Sequence, residues 1–192
     1  MTNIHKIASV SEAVSALMIG DVIAYPTEAV FGLGCDPDNE QAIKRLLALK
    51  QRPEHKGLII IAADISQLLN YVSDDQISNE MWQRVRESWP GPVTWLMPAQ
   101  PSVSALLKGA HETLAVRVTA HPVARQLCEL FGKPIVSTSA NIAGANPARS
   151  VKELNQQFND RLSCIVDGDI NRDASPSEIR DLASNKVIRK SI

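Results

Sequence analysis

The chain is poor in cysteine, in aromatic residues and in surplus charge. Its 192 residues hold three cysteines, Cys35, Cys128 and Cys164, with no C-x-x-C spacing. An odd, scattered set argues against a disulfide framework and against a zinc site, and a reducing cytoplasm is the simplest compartment for it. Lys and Arg number 20 against 21 Asp and Glu, a net charge of −1. A dedicated nucleic-acid binder carries a basic excess, so an RNA contact would need a local patch. Residues 44–56 offer one, with Lys44, Arg45, Lys50, Arg52 and Lys56 against Glu54 alone. No apolar run reaches the roughly 18–20 residues of a membrane span. The opening MTNIHKIASVSEAV lacks a charged region followed by a long apolar one, so no signal peptide is expected. The common nucleotide and hydrolase motifs are missing too: there is no G-x-x-x-x-G-K-[ST], G-x-G-x-x-G, H-E-x-x-H or G-x-S-x-G.

What is present is an ordinary globular balance of 44% apolar and 21% charged residues. The length fits one domain over residues 1–192, large enough to bury its own core. Ser9 and Glu12 form a capping box ahead of Ala13, Val14, Leu17 and Met18 at helical spacing, with Gly20 as the stop. A second helix is expected from near Asp38, with Ile43, Leu46 and Leu47 on one face. Helical patterns follow at 64–70 and 75–88. His121-Pro122 opens a helix that ends at Gly132, and Ser150 with Glu153 makes another capping box. Strands are expected at 22–25, 58–62, 93–97, 114–118, 134–136, 164–166 and 186–188. Strands and helices mix without strict alternation. The expected fold is therefore α/β, a single-domain twisted open mixed sheet flanked by helices, not a doubly wound one. The polar loop from Asn141 to Arg149 reads as an active-site loop.

Three clusters could carry chemistry. Tyr25-Pro26-Thr27-Glu28 with Phe31-Gly32-Leu33-Gly34 follows a strand, where α/β folds bind ligands; a plain strand-to-helix turn explains it equally well. Lys50-Gln51-Arg52 with Lys56 lies at a helix end. Lys50, seven residues after Ile43, continues the inward stripe, and the Arg52 fork suits a phosphate; a solvated basic terminus is the plainer alternative. Ser137-Thr138-Ser139-Ala140-Asn141 follows a buried strand and offers hydroxyls and an amide to phosphate or ribose, or to its own backbone. His5, His55, His111 and His121 share no catalytic or ligand spacing, and His121 reads as a cap. Trp82, Trp89 and Trp95 read as core or groove wall, and Cys35 as structural.

Taken together, these segments resemble the YrdC-type family of threonylcarbamoyl-AMP synthases in its short bacterial form, TsaC. The resemblance runs on in order through Trp89-Pro90-Gly91-Pro92-Val93-Thr94, Ala115-Val116-Arg117-Val118 and Pro176-Ser177-Glu178-Ile179-Arg180-Asp181. It implies a YrdC-like fold and a nucleotidyltransferase that acts on ATP, L-threonine and bicarbonate, with Mg2+ accompanying ATP. The product would be L-threonylcarbamoyladenylate with pyrophosphate, passed to threonylcarbamoyl-transfer proteins for the t6A37 modification of tRNAs that read ANN codons. It implies ATP contacts from Lys50, Arg52, Lys56, Thr113, Ser139, Asn141 and Arg189, with Lys50 and Arg52 catalytic. Threonine falls to Thr27, Arg117, Ser137 and Ser177. No metal-ligating residue and no protein nucleophile is implied.

The chain departs from the family pattern at Ala29 and Phe31, where many relatives carry Thr and Tyr, at Ile61, where some place a His near threonine, and at Gly57, a frequent Pro. Two rival readings are a double-stranded RNA-binding protein in ribosome or rRNA maturation, suited to the 44–56 patch, and a carbamoyl-adenylate enzyme like the domains inside hydrogenase-maturation chains. The net charge and the lack of interleaved aromatics speak against the first.

Overall fold

The computed structural model describes residues 7–171 and 174–190; His5 and the start of the N-terminal stretch lie outside them. The strands are β1 (Ile7–Ala8), β2 (Ile23–Pro26), β3 (Phe31–Gly34), β4 (Ile59–Ala62), β5 (Val93–Pro98), β6 (Thr113–Val118), β7 (Ile135–Ser139), β8 (Cys164–Val166), β9 (Glu178–Asp181) and β10 (Val187–Arg189). The helices are α1 (Val10–Met18), α2 (Glu40–Lys50), α3 (Asn79–Ser88), α4 (Ala105–Lys108), α5 (Pro122–Phe131) and α6 (Val151–Phe158). The strands form one mixed sheet in the order β1-β8-β2-β3-β7-β4-β6-β5-β9-β10. Parallel pairs such as β4 with β6 stand beside antiparallel ones such as β4 with β7. This is the mixed α/β sheet that the irregular order of elements predicts.

The two sheet faces are covered unequally, and that difference creates the site. On one face, Ala24, Leu33, Ile60, Trp95 and Val116 pack with Ile43, Leu46, Trp82, Val85, Leu154 and Phe158 from α2, α3 and α6. Each of the large aliphatic and phenylalanine side chains among them contributes about 1.5–3 kcal/mol by leaving water. On the other face, Ile23, Tyr25, Ile61 and Ile135 pack with Ala13, Leu17, Leu127 and Cys128 from α1 and α5. Side chains alternate along strands. The register therefore puts Ile59, Ala115, Leu96 and Ser137 on that same second face, at the edge of the α1–α5 core, which Ile59 still touches. These four line an open cavity.

Local sequence explains most elements. Ser9 accepts from Glu12 N and Glu12 answers to Ser9 N, the expected capping box. His121 caps α5, which ends at Gly132 in the left-handed region. The second helix starts at Glu40, capped by Asn39, next to the expected Asp38. Several expectations are corrected. The 64–70 pattern gives only a 3-10 turn, Ile65–Leu68. The 75–88 pattern splits into a 3-10 turn at Asp74–Gln76 and α3, because Ser78 caps a fresh helix by accepting from Met81 N. The second capping box is shifted: Ser150 accepts from Glu153 N, but Glu153 Oε2 accepts from Arg149 N. The largest correction concerns Phe31-Gly32-Leu33-Gly34, which is not a turn but strand β3, hairpinned to β2. Its glycines serve close approach. A Cβ on Gly34 would lie 2.7 Å from Val136 O and 2.8 Å from Tyr25 Cε1, and one on Gly32 would lie 3.1 Å from Thr27 Cγ2.

Candidate functional site

The open part of the second face floors a cavity of about 580 Å³. Its walls are the β2–β3 turn, the loop after α2, strand β6 from Thr113 to Arg117, the C-terminal end of β7, and the β9–β10 hairpin with Ser175 to Ser177. Nine of the eleven residues expected at the site line it: Thr27, Arg52, Lys56, Thr113, Arg117, Ser137, Ser139, Ser177 and Arg189. They come from six separate stretches of chain, so the sheet order brings them together.

The cavity is strongly cationic although the whole chain is not. Arg52, Lys56, Lys108, Arg117, Arg189 and Lys190 line it, and Glu28 is the one carboxylate among the lining residues. Burial lowers the Arg52 guanidinium below its ordinary range, and the charge of Arg189 adds to the shift. Burial does the same to Arg189, reinforced by Arg117. Like charges crowded in one hollow, Arg52 beside Arg189 and Arg189 beside Arg117, form a site that an anion relieves.

The three guanidiniums are held in place. Helix α2 ends where Gln51 takes a left-handed conformation, φ 52°. That reversal turns Arg52 back, so that its Nε and Nη2 donate to Gly57 O at 3.2 and 3.0 Å. Arg189 Nη2 donates to Ser177 O at 2.8 Å, which ties β10 to the Ser175–Ser177 wall. Thr94 Oγ1 donates to Ser177 Oγ at 3.0 Å. Thr27 Oγ1 donates to Val30 O at 2.6 Å and so shapes the β2–β3 turn. Arg117 Nη1 meets Glu28 Oε2 at 2.8 Å, while Glu28 Oε1 accepts from Thr119 Oγ1 at 2.8 Å and Ala120 N at 3.3 Å. Burial works to raise the Glu28 carboxyl, but the charge and hydrogen bond of Arg117, with the backbone and Thr119, outweigh it and hold the group below the usual carboxylate range.

Two expected residues stand elsewhere. Lys50 is 4% exposed and, like Asn141, is not among the lining residues. Lys50 Nζ donates to Ser139 O, to Asn141 O at 2.9 Å and to Asn141 Oδ1 at 3.4 Å. Helix α2 packs on the face it covers and delivers Lys50 to the Ser139–Asn141 turn. The 44–56 patch also divides. Arg45 donates to Gly20 O at 2.8 Å and pairs with Asp21 at 3.6 Å, and Lys44 sits 3.9 Å from Glu40. Ile61 is fully buried in the α1–α5 core. Sequence reasoning missed Glu28 as a site residue, although it lay inside a quoted motif; its partners Arg117 and Thr119 are remote in sequence. It also missed Lys108 and Lys190, for which no local signal exists.

Other groups do not compete as a reaction centre. Burial pushes the Cys35 and Cys128 thiols up to about 12, so neither is a ready nucleophile. Trp82, Trp89 and Trp95 are buried in the core. A second hollow of about 660 Å³ contains Lys133, whose Nζ lies 2.6 Å from Asp36 and 2.7 Å from Asp38, so its charges satisfy one another. Among the described residues no group of three or more His, Cys, Asp or Glu is placed to hold a metal ion. No helix among them is long and apolar enough to cross a membrane.

Comparison with known proteins bears on this site. The family model for Sua5, YciO and YrdC proteins, described as telomere recombination, matches residues 15–191. A threonylcarbamoyl-AMP synthase of Photobacterium profundum is 51% identical over 182 residues, covering 95% of this chain and 98% of that protein. The one from Serratia proteamaculans is 52% identical over 177 residues, covering 92% and 93%. Among solved structures, P. abyssi Sua5 complexed with L-threonine superposes with a TM-score of 0.84 at 34% identity. The match covers 91% of this chain but 51% of that one, so the chain spans about half the length of that structure. E. coli YciO, at 24% identity and a TM-score of 0.83, supports the fold alone.

Proposed function

The chain belongs to the Sua5/YciO/YrdC family, and from that we infer that it is a threonylcarbamoyl-AMP synthase, a nucleotidyltransferase that serves tRNA threonylcarbamoyladenosine formation. The observation that carries the reading is the triad of guanidiniums, Arg52, Arg117 and Arg189, in one cavity with the hydroxyls of Ser137, Ser139, Thr113 and Ser177. Such a hollow suits a polyanion beside a small zwitterion.

The chemistry follows from those groups. The threonine amine takes up the carbon of bicarbonate, with loss of water, to give N-carboxythreonine. A carbamate oxygen attacks the α-phosphorus of ATP, the bond to the bridging oxygen breaks, and pyrophosphate leaves. The protein supplies position and charge stabilisation and no covalent partner. Arg52, Lys56 and Arg189 face the phosphates, Ser139 and Thr113 donate to phosphate or ribose oxygens, and Arg117 takes the threonine carboxylate with Thr27, Ser137 and Ser177 around it. Mg2+ enters as the counter-ion of ATP. Glu28, the lone lining carboxylate, is already committed to Arg117, so the donor set fits an ion held by phosphate oxygens and water. The cytoplasm, bicarbonate as carbon source and hand-over of the adenylate to threonylcarbamoyl-transfer proteins belong to the same reading.

The test is pyrophosphate release from ATP and Mg2+, which should require threonine and bicarbonate together. Equal release with either omitted overturns the reading. The RNA-binding alternative loses support from the fold, because Lys50 is buried and Arg45 is paired, which breaks up the 44–56 patch.

A further inference from the structure

We propose that Lys50, acting through Asn141, is a positioning residue that poises the Ser139 hydroxyl for a nucleotide phosphate without touching the nucleotide itself. The proposal rests on the ATP reading of the cavity.

The geometry shows an ammonium with its protons committed. An ammonium has three donors. Lys50 Nζ has three acceptors, Ser139 O, Asn141 O and Asn141 Oδ1, all in the turn that follows β7. The backbone closes the same clasp, since Ala143 N donates to Lys50 O at 2.8 Å. Ser139 lines the cavity, whereas Lys50 and Asn141 do not. The lysine therefore stands behind the turn and the ligand space in front of it.

Asn141 is the link. Its Nδ2 donates to Ile142 O and Ala145 O, both at 3.0 Å, which fixes the amide so that Oδ1 faces the other way. Oδ1 accepts from Ser139 Oγ at 2.6 Å and from Lys50 Nζ at 3.4 Å. A serine hydroxyl has one proton. With the cavity empty, that proton belongs to Asn141. A phosphate oxygen must take it over, and the swap strips Oδ1 of its short donor. A half-buried acceptor left without a donor opposes the swap. Lys50, already aimed at the same oxygen, closes the gap by tightening its longer contact. The buried charge also adds to the field at the turn, where phosphate charge arrives.

The experiment is a double-mutant cycle read by calorimetric ATP binding, with the threonine KM measured alongside. The variants are Lys50→Met, Ser139→Ala and the two combined. Each single change should weaken ATP binding about tenfold or more, and the pair should fall no more than about twofold below the weaker single variant. The threonine KM should stay within about twofold of wild type in all three. Lys50→Met should weaken AMP, ADP and ATP in the same proportion as Ser139→Ala does. Losses that multiply in the double variant, or a Lys50→Met defect confined to nucleotides with one particular phosphate, mean direct contact and overturn the proposal. Loss of threonine and ATP binding together, with lowered melting temperature, means a purely structural lysine and overturns it too. Should Lys50→Met not fold, Asn141→Ala breaks the relay at its middle and must show the same non-additivity with Ser139→Ala. A wild-type protein that binds no ATP overturns the functional reading and the relay together; one that binds ATP with multiplying losses overturns the relay alone.

Discussion

Arg117 Nη1 and Glu28 Oε2 meet at 2.8 Å on the floor of the cavity, and Arg117 Nε beside them is buried with no hydrogen-bond partner. Glu28 thus occupies only part of a guanidinium that also lines the cavity, which leaves room there for a second acceptor. The threonine carboxylate is the acceptor our functional reading supplies. Arg117→Lys keeps the charge but removes the planar fork. Its loss should cost about 1.5–3 kcal/mol of threonine binding, the worth of a hydrogen bond to a charged group. The threonine KM should rise roughly ten- to a hundredfold, with ATP affinity little changed. Initial rates with each substrate varied separately check this; equal rises in both constants would place Arg117 elsewhere.

Glu28 gives the fold an acid-sensitive point. Its carboxyl is held below the ordinary value of 4.5 in the folded state. A depressed folded value means stability that is present above the unfolded value and lost as pH falls through the folded one. Wild-type protein should therefore lose stability progressively below about pH 4.5, and Glu28→Gln should show a flatter curve there. Thermal unfolding between pH 7 and 3 measures the difference.

Lys50 responds in the alkaline range. Burial pushes its ammonium down to about 8, and the charge of Arg52 adds to the shift. ATP binding should weaken as pH rises through about 8, because a neutral amine has fewer protons for the turn. Stability moves the other way. The unfolded chain keeps this proton up to the ordinary 10.5, so it binds more protons between the two values and stability rises with pH there. Lys50→Met should abolish both slopes, as followed by ATP titration and melting curves from pH 7 to 10.

The helix caps and the apolar strands were legible in the sequence because their causes are local. Ser9 with Glu12, and His121-Pro122 closing at Gly132, each state a helix boundary within a few residues. The inward direction of Lys50 was legible as well, since it continues the spacing of Ile43. What it grips was not, because Ser139 and Asn141 lie far along the chain. Strand β3 escaped for a physical reason. Gly32 and Gly34 carry no β propensity, and they are needed because Val136 O, Thr27 Cγ2 and the Tyr25 ring, all set by tertiary packing, come close to them. Strand β9 escaped because Glu178 to Asp181 are all half-buried, which leaves no alternation to read.

The same glycines give a test of packing. Gly34→Ala would force a Cβ against Val136 O and Tyr25 Cε1. Over-packing of this kind costs about 1–3 kcal/mol, and the melting temperature should fall accordingly. An unchanged melting temperature would contradict the account of β3.

Arg52 is the cation whose geometry matters most to turnover. Its Nε and Nη2 hold Gly57 O, so a fixed fork presents the remaining charge to the cavity. Arg52→Lys should slow adenylate formation by about thirty- to a thousandfold, the effect of about 2–4 kcal/mol at the transition state. The exposed pair change Lys44→Ala with Arg45→Ala should leave the rate within about twofold. Duplex RNA binding, measured in parallel, should not track these rates.

The central claim is the identity of the product, and it is tested most directly by following labelled bicarbonate. The protein is incubated with ATP, Mg2+, labelled bicarbonate and one amino acid at a time, and the nucleotide products are separated. The account predicts a labelled adenylate that appears with threonine and not with the other amino acids, in step with pyrophosphate. Label entering an adenylate without threonine, or no labelled adenylate at all, would contradict it.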